Sequence, residues 1–257
     1  MKMCLILLAY KSHKQYPFIL AANRDEFYNR PALPVGYWQD NPSILGGRDL
    51  EEMGTWLGIT RNGRFAAITN YRDPSRLRTD VRSRGEVVSN FLNGTDGPQE
   101  YLDRIKGKRE IYNGFNLIVG DVTDCFCYSN VTNTVEKIKP GVHGLSNHLL
   151  NTPWPKVIRG KEKLEQTVED KNFPDKERLF EILADSQKAK DQELPNTGVG
   201  IQRERMMSPI FIESPDYGTR SSTVLLINNK NRVLFIERSK SANQNNWIEN
   251  SHEFDIE

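Results

Sequence analysis

Cysteine and histidine are scarce in this chain, with three and four residues among 257. Three thiols cannot all pair, and Cys125 and Cys127 sit too close together to bridge easily. A disulfide framework is therefore excluded and a reducing compartment expected. Charge of one sign is missing as well: 35 Lys and Arg oppose 34 Asp and Glu, a net +1. That balance offers no global field for nucleic acid or a membrane surface, so a nucleic-acid partner is not expected. No apolar run approaches the ~18 residues that a membrane span needs. The run behind Lys2 is short for a signal peptide and no small-x-small cleavage site follows it, so the cytoplasm is the expected location. P-loop and dinucleotide fingerprints are absent. Repeats, low-complexity tracts and Pro/Gly/Ser linkers are absent too, and one domain over residues 1–257 is expected.

What the chain does have is hairpins. The apolar stretches 4–10 and 18–22 flank a polar stretch, Lys11 to Pro17, that reads as a hairpin loop. An antiparallel pair puts the start of its first strand beside the end of its second. A loop centred near Lys14 sets Cys4 opposite a residue close to Arg24. A thiol then meets Asn23-Arg24-Asp25-Glu26 at the rim of an apolar sheet. Stretches 56–60 and 65–69 flank Arg61-Asn62-Gly63-Arg64, and Asn-Gly is the strongest short hairpin signal. Stretches 115–120 and 125–128 form a third hairpin, and 222–227 and 232–236 a fourth. Helical spacing covers residues 84–92, 98–105, 155–168 and 174–186, the last three opened by proline. Antiparallel hairpins with interposed amphipathic helices give an α+β class built in layers.

Polar residues gather where these strands end. Asn70 closes the stretch 65–69, Asn147 lies in Gly144-Leu145-Ser146-Asn147, and Arg220 lies in Tyr217-Gly218-Thr219-Arg220. Gly46-Gly47-Arg48-Asp49 and Gly54-Thr55-Trp56-Leu57-Gly58 read as Gly-rich turns that permit close backbone approach. Taken with Met3-Cys4, Asn23-Arg24-Asp25-Glu26, Thr69-Asn70-Tyr71-Arg72 and Thr152-Pro153-Trp154-Pro155, these segments resemble the NRDE family, that of transport and Golgi organization protein 2. The motifs run in order from Met3 to about Val224. The resemblance implies an Ntn-hydrolase-like fold, a four-layer αββα sandwich of antiparallel sheets. Roles in Golgi organisation, lipid metabolism and haem trafficking are attached to eukaryotic members.

The resemblance also implies a chemistry. An N-terminal nucleophile uses its own α-amine as base, and an amine with a pKa near ~8 serves at neutral pH. By similarity to choloylglycine hydrolases and related acylases, the catalytic candidates are Cys4, Arg24, Asp25, Asn70, Asn147 and Arg220. Asn23, Glu26, Arg48, Trp56 and Tyr71 are the candidate ligand-binding residues. Adjacent strand residues point to opposite faces, so Arg24 and Asp25 both reach Cys4 only if the strand bends or bulges. Met1-Lys2-Met3 precedes Cys4, and the amine is available only if translation begins at Met3 or these residues are removed.

Structural readings stand beside these. Cys4 is equally a small buried hydrophobe, Arg24 and Asp25 a rim ion pair, Asn70 and Asn147 turn residues, and Arg220 a loop anchor. Trp56 and Trp154 read as packing residues. Cys125 and Cys127 share one strand face and read as core, and His143 and His148 as loop residues; neither metal nor cofactor is expected. Two functions remain: a cysteine hydrolase or acyltransferase acting on a small amide or acyl substrate, and a non-catalytic carrier of an apolar ligand such as haem or an acyl chain. Residues 187–215 supply a lid or ligand loop under either.

Overall fold

The computed structural model describes residues 3–170, 173–240 and 246–257. The first strands are β1 (Met3–Tyr10), β2 (Phe18–Phe27), β3 (Ala32–Tyr37), β4 (Ile44–Asp49), β5 (Leu57–Thr60) and β6 (Phe65–Asn70). Two helices follow, α1 (Gly85–Asn93) and α2 (Pro98–Lys106), then β7 (Phe115–Gly120), β8 (Cys125–Ser129), β9 (Thr134–Lys137) and β10 (Gly141–Leu145). The chain continues through α3 (Pro155–Val168), α4 (Lys176–Leu183) and α5 (Ile201–Met206). It closes with β11 (Tyr217–Ile227), β12 (Arg232–Lys240) and β13 (Trp247–Asp255).

These strands form two antiparallel sheets, ordered β10-β1-β2-β11-β12-β13 and β3-β4-β5-β6-β7-β8-β9. Strand side chains alternate between faces, and here both faces of the first sheet are apolar. Ile6, Leu8, Leu20 and Leu225 meet Leu57, Ile59, Phe65 and Ile118 between the sheets. Leu5, Leu7, Ile19 and Leu226 face outward onto Leu164, Val168, Leu179 and Leu183 of α3 and α4. The outer face of the second sheet carries Ala66, Leu117 and Val119 beneath Val88, Phe91, Leu102 and Ile105 of α1 and α2. The result is the four-layer αββα sandwich expected from the resemblance. Cys125 and Cys127 both point from β8 into the inter-sheet core. Burial holds both thiols far above the usual range. Among the described residues no group of three His, Cys, Asp or Glu is arranged to hold a metal, and none of the helices is long and apolar enough to cross a membrane.

The hairpins fall where the sequence puts them, and Cys4 pairs with Arg24. Several elements differ, since the local patterns do not announce β3, β9 or α5. Gly46-Gly47-Arg48-Asp49 is strand rather than turn, because a Cβ at Gly46 would lie 2.8 Å from the Leu57 carbonyl oxygen across the β4–β5 pairing. The helix expected from Pro174 begins at Lys176, where the Asp175 carboxylate accepts from the Glu177 and Arg178 amides. β13, with Glu249, Asn250, Ser251 and Glu253, lacks an apolar pattern because it is an exposed edge held by pairing to β12.

Phe65 is fully buried between the sheets, its ring 4.3 Å from that of Phe18. Phe65→Ala should cost about 3–5 kcal/mol in urea unfolding; a loss below about 1 kcal/mol would place the core elsewhere.

Candidate active site

The site is built on the register of three strands. β1 sets Cys4 opposite Arg24 and Met3 opposite Asp25. On the other side of β2, Arg24 faces Ser221 and Asp25 faces Thr219, with an irregularity at Arg220 between them. Cys4 and Arg24 share the parity of Ile6 and Ala22 and turn toward the inter-sheet layer. Asn23 and Asp25 share the parity of Ala21 and turn toward the helices. At the open end of the sandwich, Cys4, Arg24, Asp25, Glu26, Trp56 and Asn70 nevertheless line one cavity of about 190 Å³.

Two groups of charges flank the thiol. Between the sheets, Arg24 lies 3.4 Å from Asp49 and 3.7 Å from Glu26, with its guanidinium 4.3 Å from the Trp56 ring centre. Arg30 Nε donates to the same Asp49 carboxylate at 2.6 Å. Burial opposes ionisation of Asp49, but the Arg30 hydrogen bond, the Glu52 amide and the Arg30 and Arg24 charges together outweigh it and hold the carboxyl below its usual range. Under α3, Asp25 Oδ1 accepts from Thr219 Oγ1 at 2.7 Å. Asp25 Oδ2 and Lys156 Nζ are both buried without a hydrogen-bond partner among the described residues. Burial raises Asp25 to about 7 against the pull of Lys156, and lowers Lys156 to about 8 against the pull of Asp25.

Cys4 receives a hydrogen bond from the Asp25 backbone amide, yet its pKa is pushed up to about 12. Burial is the main cause, the Asp25 charge adds to it, and Arg24 opposes it. As an internal residue it is therefore a thiol, not a thiolate, at neutral pH.

The remaining candidates lie off this cavity. Asn147 is fully buried; its Nδ2 donates to the Asn70 carbonyl at 2.9 Å, and the neighbouring Ser146 hydroxyl donates to the Cys4 carbonyl at 3.1 Å. Arg220 donates to the Phe27 carbonyl at 3.2 Å and to that of Arg30. It lines a second cavity, of about 210 Å³, on the far side of Arg24 and Trp56. Asn23 donates to the Leu183 and Ile210 carbonyls at 2.8 and 2.9 Å. Arg48 pairs with Asp40 at 2.9 Å and stacks on Trp38. The Tyr71 hydroxyl meets His148 Nε2 at 2.8 Å. Residues 187–215 contribute nothing to the cavity lining; this segment is instead pinned by Glu204, which accepts from Arg72 at 2.5 Å.

Sequence reasoning passes over Arg84 and Lys156. Arg84, immediately before α1, lines the cavity, and burial lowers it to about 10. In the sequence it is visible only as the start of a helix. Lys156 directly follows Thr152-Pro153-Trp154-Pro155 and belongs to an amphipathic helix, whose charges are ordinarily solvated. Two close approaches shape the wall. A Cβ at Gly47 would lie 2.3 Å from the Trp56 ring, and one at Gly54 would lie 2.5 Å from the Gly85 carbonyl carbon.

The four-layer sandwich of two antiparallel sheets between helices is an Ntn-hydrolase-like fold. The chain aligns with the Caenorhabditis elegans ortholog of N-acylethanolamine-hydrolyzing acid amidase at a TM-score of 0.51 and 12% identity, over 87% of this chain and 92% of that one. It aligns with a mutant of the conjugated bile acid hydrolase from Clostridium perfringens at a TM-score of 0.51 and 10% identity, over 100% of this chain and 92% of that one. At such identities the similarity concerns the fold alone. The family model for Transport and Golgi organisation 2 matches residues 3–242. The Transport and Golgi organization 2 homolog of Mus musculus is 37% identical over 276 residues, covering 99% of this chain and 100% of that one. The chain belongs to the Transport and Golgi organisation 2 family.

Two outcomes test the geometry. Gly47→Ala should displace the Trp56 ring from Arg24 and cost about 1–3 kcal/mol in thermal unfolding; a neutral effect would mean that the ring has room. The second concerns Lys156. Near pH 5 the folded protein holds Asp25 protonated, so the buried Lys156 cation is uncompensated; above about pH 7 the Asp25 carboxylate offsets it. Lys156→Met should therefore stabilise more near pH 5 than near pH 7.5, by on the order of 1–4 kcal/mol. Urea unfolding at both pH values checks it, and an equal effect at the two would refute the coupling.

Proposed function

We propose that this chain, once Cys4 is freed as the N-terminal residue, is a cysteine hydrolase acting on a small non-peptide amide or related acyl compound. The observation that carries the reading is the convergence of the Cys4 thiol, Arg24, Asp25 and Asn70 on one cavity, at the end of the sheet where side chains are not needed to fill a core. The α-amine takes the thiol proton, and the thiolate attacks the carbonyl carbon, forming a C–S bond and an oxyanion. Asn70 donates to that oxyanion. As the C–N bond breaks, the α-ammonium returns its proton to the leaving amine. Water, deprotonated by the same amine, then cleaves the thioester to a carboxylic acid and regenerates the thiol. Asp25, whose Oδ2 has no hydrogen-bond partner among the described residues, holds the ammonium. Asn147 positions Asn70, and Arg220 fixes the irregular strand edge behind Arg24.

The carrier reading draws on the same cavity and on the unreactive state of the internal thiol. The cavity's volume of about 190 Å³ and its charged wall favour a small polar ligand over haem or a long acyl chain, since drug-sized ligands fill roughly 300–1,000 Å³.

Intact-mass analysis separates the two. A chain in which Met directly precedes Cys4, processed to expose it, should form a covalent adduct with an electrophilic amide analogue near neutral pH. The adduct should vanish in Cys4→Ser. The chain that retains residues 1–3 should label only as pH approaches the raised thiol pKa of about 12. Saturable binding without any adduct, unchanged in Cys4→Ser, would instead establish the carrier.

A further inference from the structure

The charges that line the Cys4 cavity can be paired one by one. Arg24 and Arg30 share Asp49 and Glu26. Arg82 donates to Glu86 at 2.7 and 3.0 Å. Asp25 is held by Thr219 and faces Lys156. Glu52 is exposed to solvent at the mouth. Arg84 is different. Its Nη1 donates to the Gly114 carbonyl at 3.1 Å, and among the described residues its guanidinium has no carboxylate partner.

A half-buried guanidinium whose one hydrogen bond goes to a neutral acceptor has given up hydration, and the more distant Glu26 charge offsets only part of that loss. Its planar fork is built to donate two parallel hydrogen bonds to an oxyanion. Arg24, Arg30 and Arg82 in the same wall each pair with a carboxylate, whereas Arg84 lines the cavity with its fork turned to a backbone carbonyl. We infer that Arg84 is a recognition residue for an anionic group on the substrate, which makes the substrate a small amide or acyl compound bearing a carboxylate or a phosphate-like group. The inference rests on the hydrolase reading for the fate of the substrate, though not for its binding. The cavity volume of about 190 Å³ keeps the anion within a few bonds of the carbonyl that Cys4 attacks. Burial lowers Arg84 to about 10, so it remains a cation at neutral pH.

Calorimetry on the full chain carrying Cys4→Ala measures binding without turnover. The probes are N-butanoylglycine, its phosphonate counterpart N-butanoylaminomethylphosphonate, and the neutral isostere N-butanoylglycinamide. At least one anionic probe should bind about tenfold tighter than the neutral one, as a charge-assisted pair predicts, and the tighter anion identifies the group. Arg84→Gln should bring that ratio to about one, and Arg84→Lys should retain part of it. Arg84→Lys serves alone if Arg84→Gln does not fold by circular dichroism. No preference for either anion, no binding of any probe, or a ratio unaffected by substitution at Arg84 would overturn the inference. So would an Arg84→Gln effect confined to iodoacetamide labelling of Cys4, which would assign the guanidinium to the thiolate. Turnover is scored separately on the chain with Cys4 exposed. An intact anion preference with no hydrolysis of any probe sinks the hydrolase reading alone, whereas hydrolysis without the preference sinks the inference alone.

Discussion

The register of β2 between β1 and β11 is the constraint on which everything at the site depends. A slip of one residue would exchange the faces of every side chain on the strand. Hydrophobicity alone does little to prevent it here, because β2 is apolar on both faces. The polar end of the strand supplies the missing specification. Asn23 is satisfied only beneath the helices, by the Leu183 and Ile210 carbonyls and the Ser222 hydroxyl. Arg24 is satisfied only between the sheets, by Asp49 and the Trp56 ring. Asp25 returns to the helix side and Thr219. A buried polar group without its partner costs on the order of 1–3 kcal/mol, so three alternating anchors lock the register more firmly than the apolar run does. The same lock brings Cys4 opposite Arg24.

Alternation also divides the electrostatics. Arg24, Glu26, Arg30 and Asp49 form a nearly neutral cluster that joins the two sheets at their rim. Asp25, Lys156 and Thr219 form a separate one under α3. The two clusters respond differently to burial. Direct pairing keeps Asp49 ionised, whereas Asp25 and Lys156 attract one another without a hydrogen bond and both drift toward neutrality. The groups drawn toward neutral pH thus belong to the loosely held cluster rather than to the tightly paired one.

Local signals carry much of this in the sequence. The polar loop between two apolar runs is enough to bring Cys4 to Arg24, and Asn62-Gly63 is enough to pair β5 with β6, where Gly63 takes a φ of +80°. Contacts that depend on distant elements are not legible there. Gly46 to Asp49 reads as a turn because the need for two glycines on facing strands appears only when β4 and β5 are apposed. Motif similarity groups Asn147 and Arg220 with Cys4, but the structure gives them partners behind the cavity, at the Asn70 carbonyl and at the carbonyls of Phe27 and Arg30. Lys156 is hidden because helical periodicity assigns charges to the solvated face, and only the packing of α3 against β1 and β10 buries it.

The state of Cys4 follows from both clusters. A thiol at about 12 is essentially all protonated at neutral pH, because the Arg24 charge and the Asp25 amide offset too little of the burial. Arg24 is already engaged by Asp49 and Glu26, so its charge is largely neutralised. In the proposed reading the missing base is the α-amine of Cys4 itself, and peptide linkage to Met3 abolishes it, since an amide nitrogen has no basic lone pair. In that reading, exposure of the amine would also bring a cation to the cavity that Asp25 lines, where Oδ2 has no hydrogen-bond partner among the described residues. A second cation would draw Asp25 below the value of about 7 that burial now gives it, fixing the carboxylate in its charged form. In the proposed reading, the unpartnered oxygen and the unreactive thiol are thus two aspects of one condition, a site whose central group is the nitrogen of residue 4.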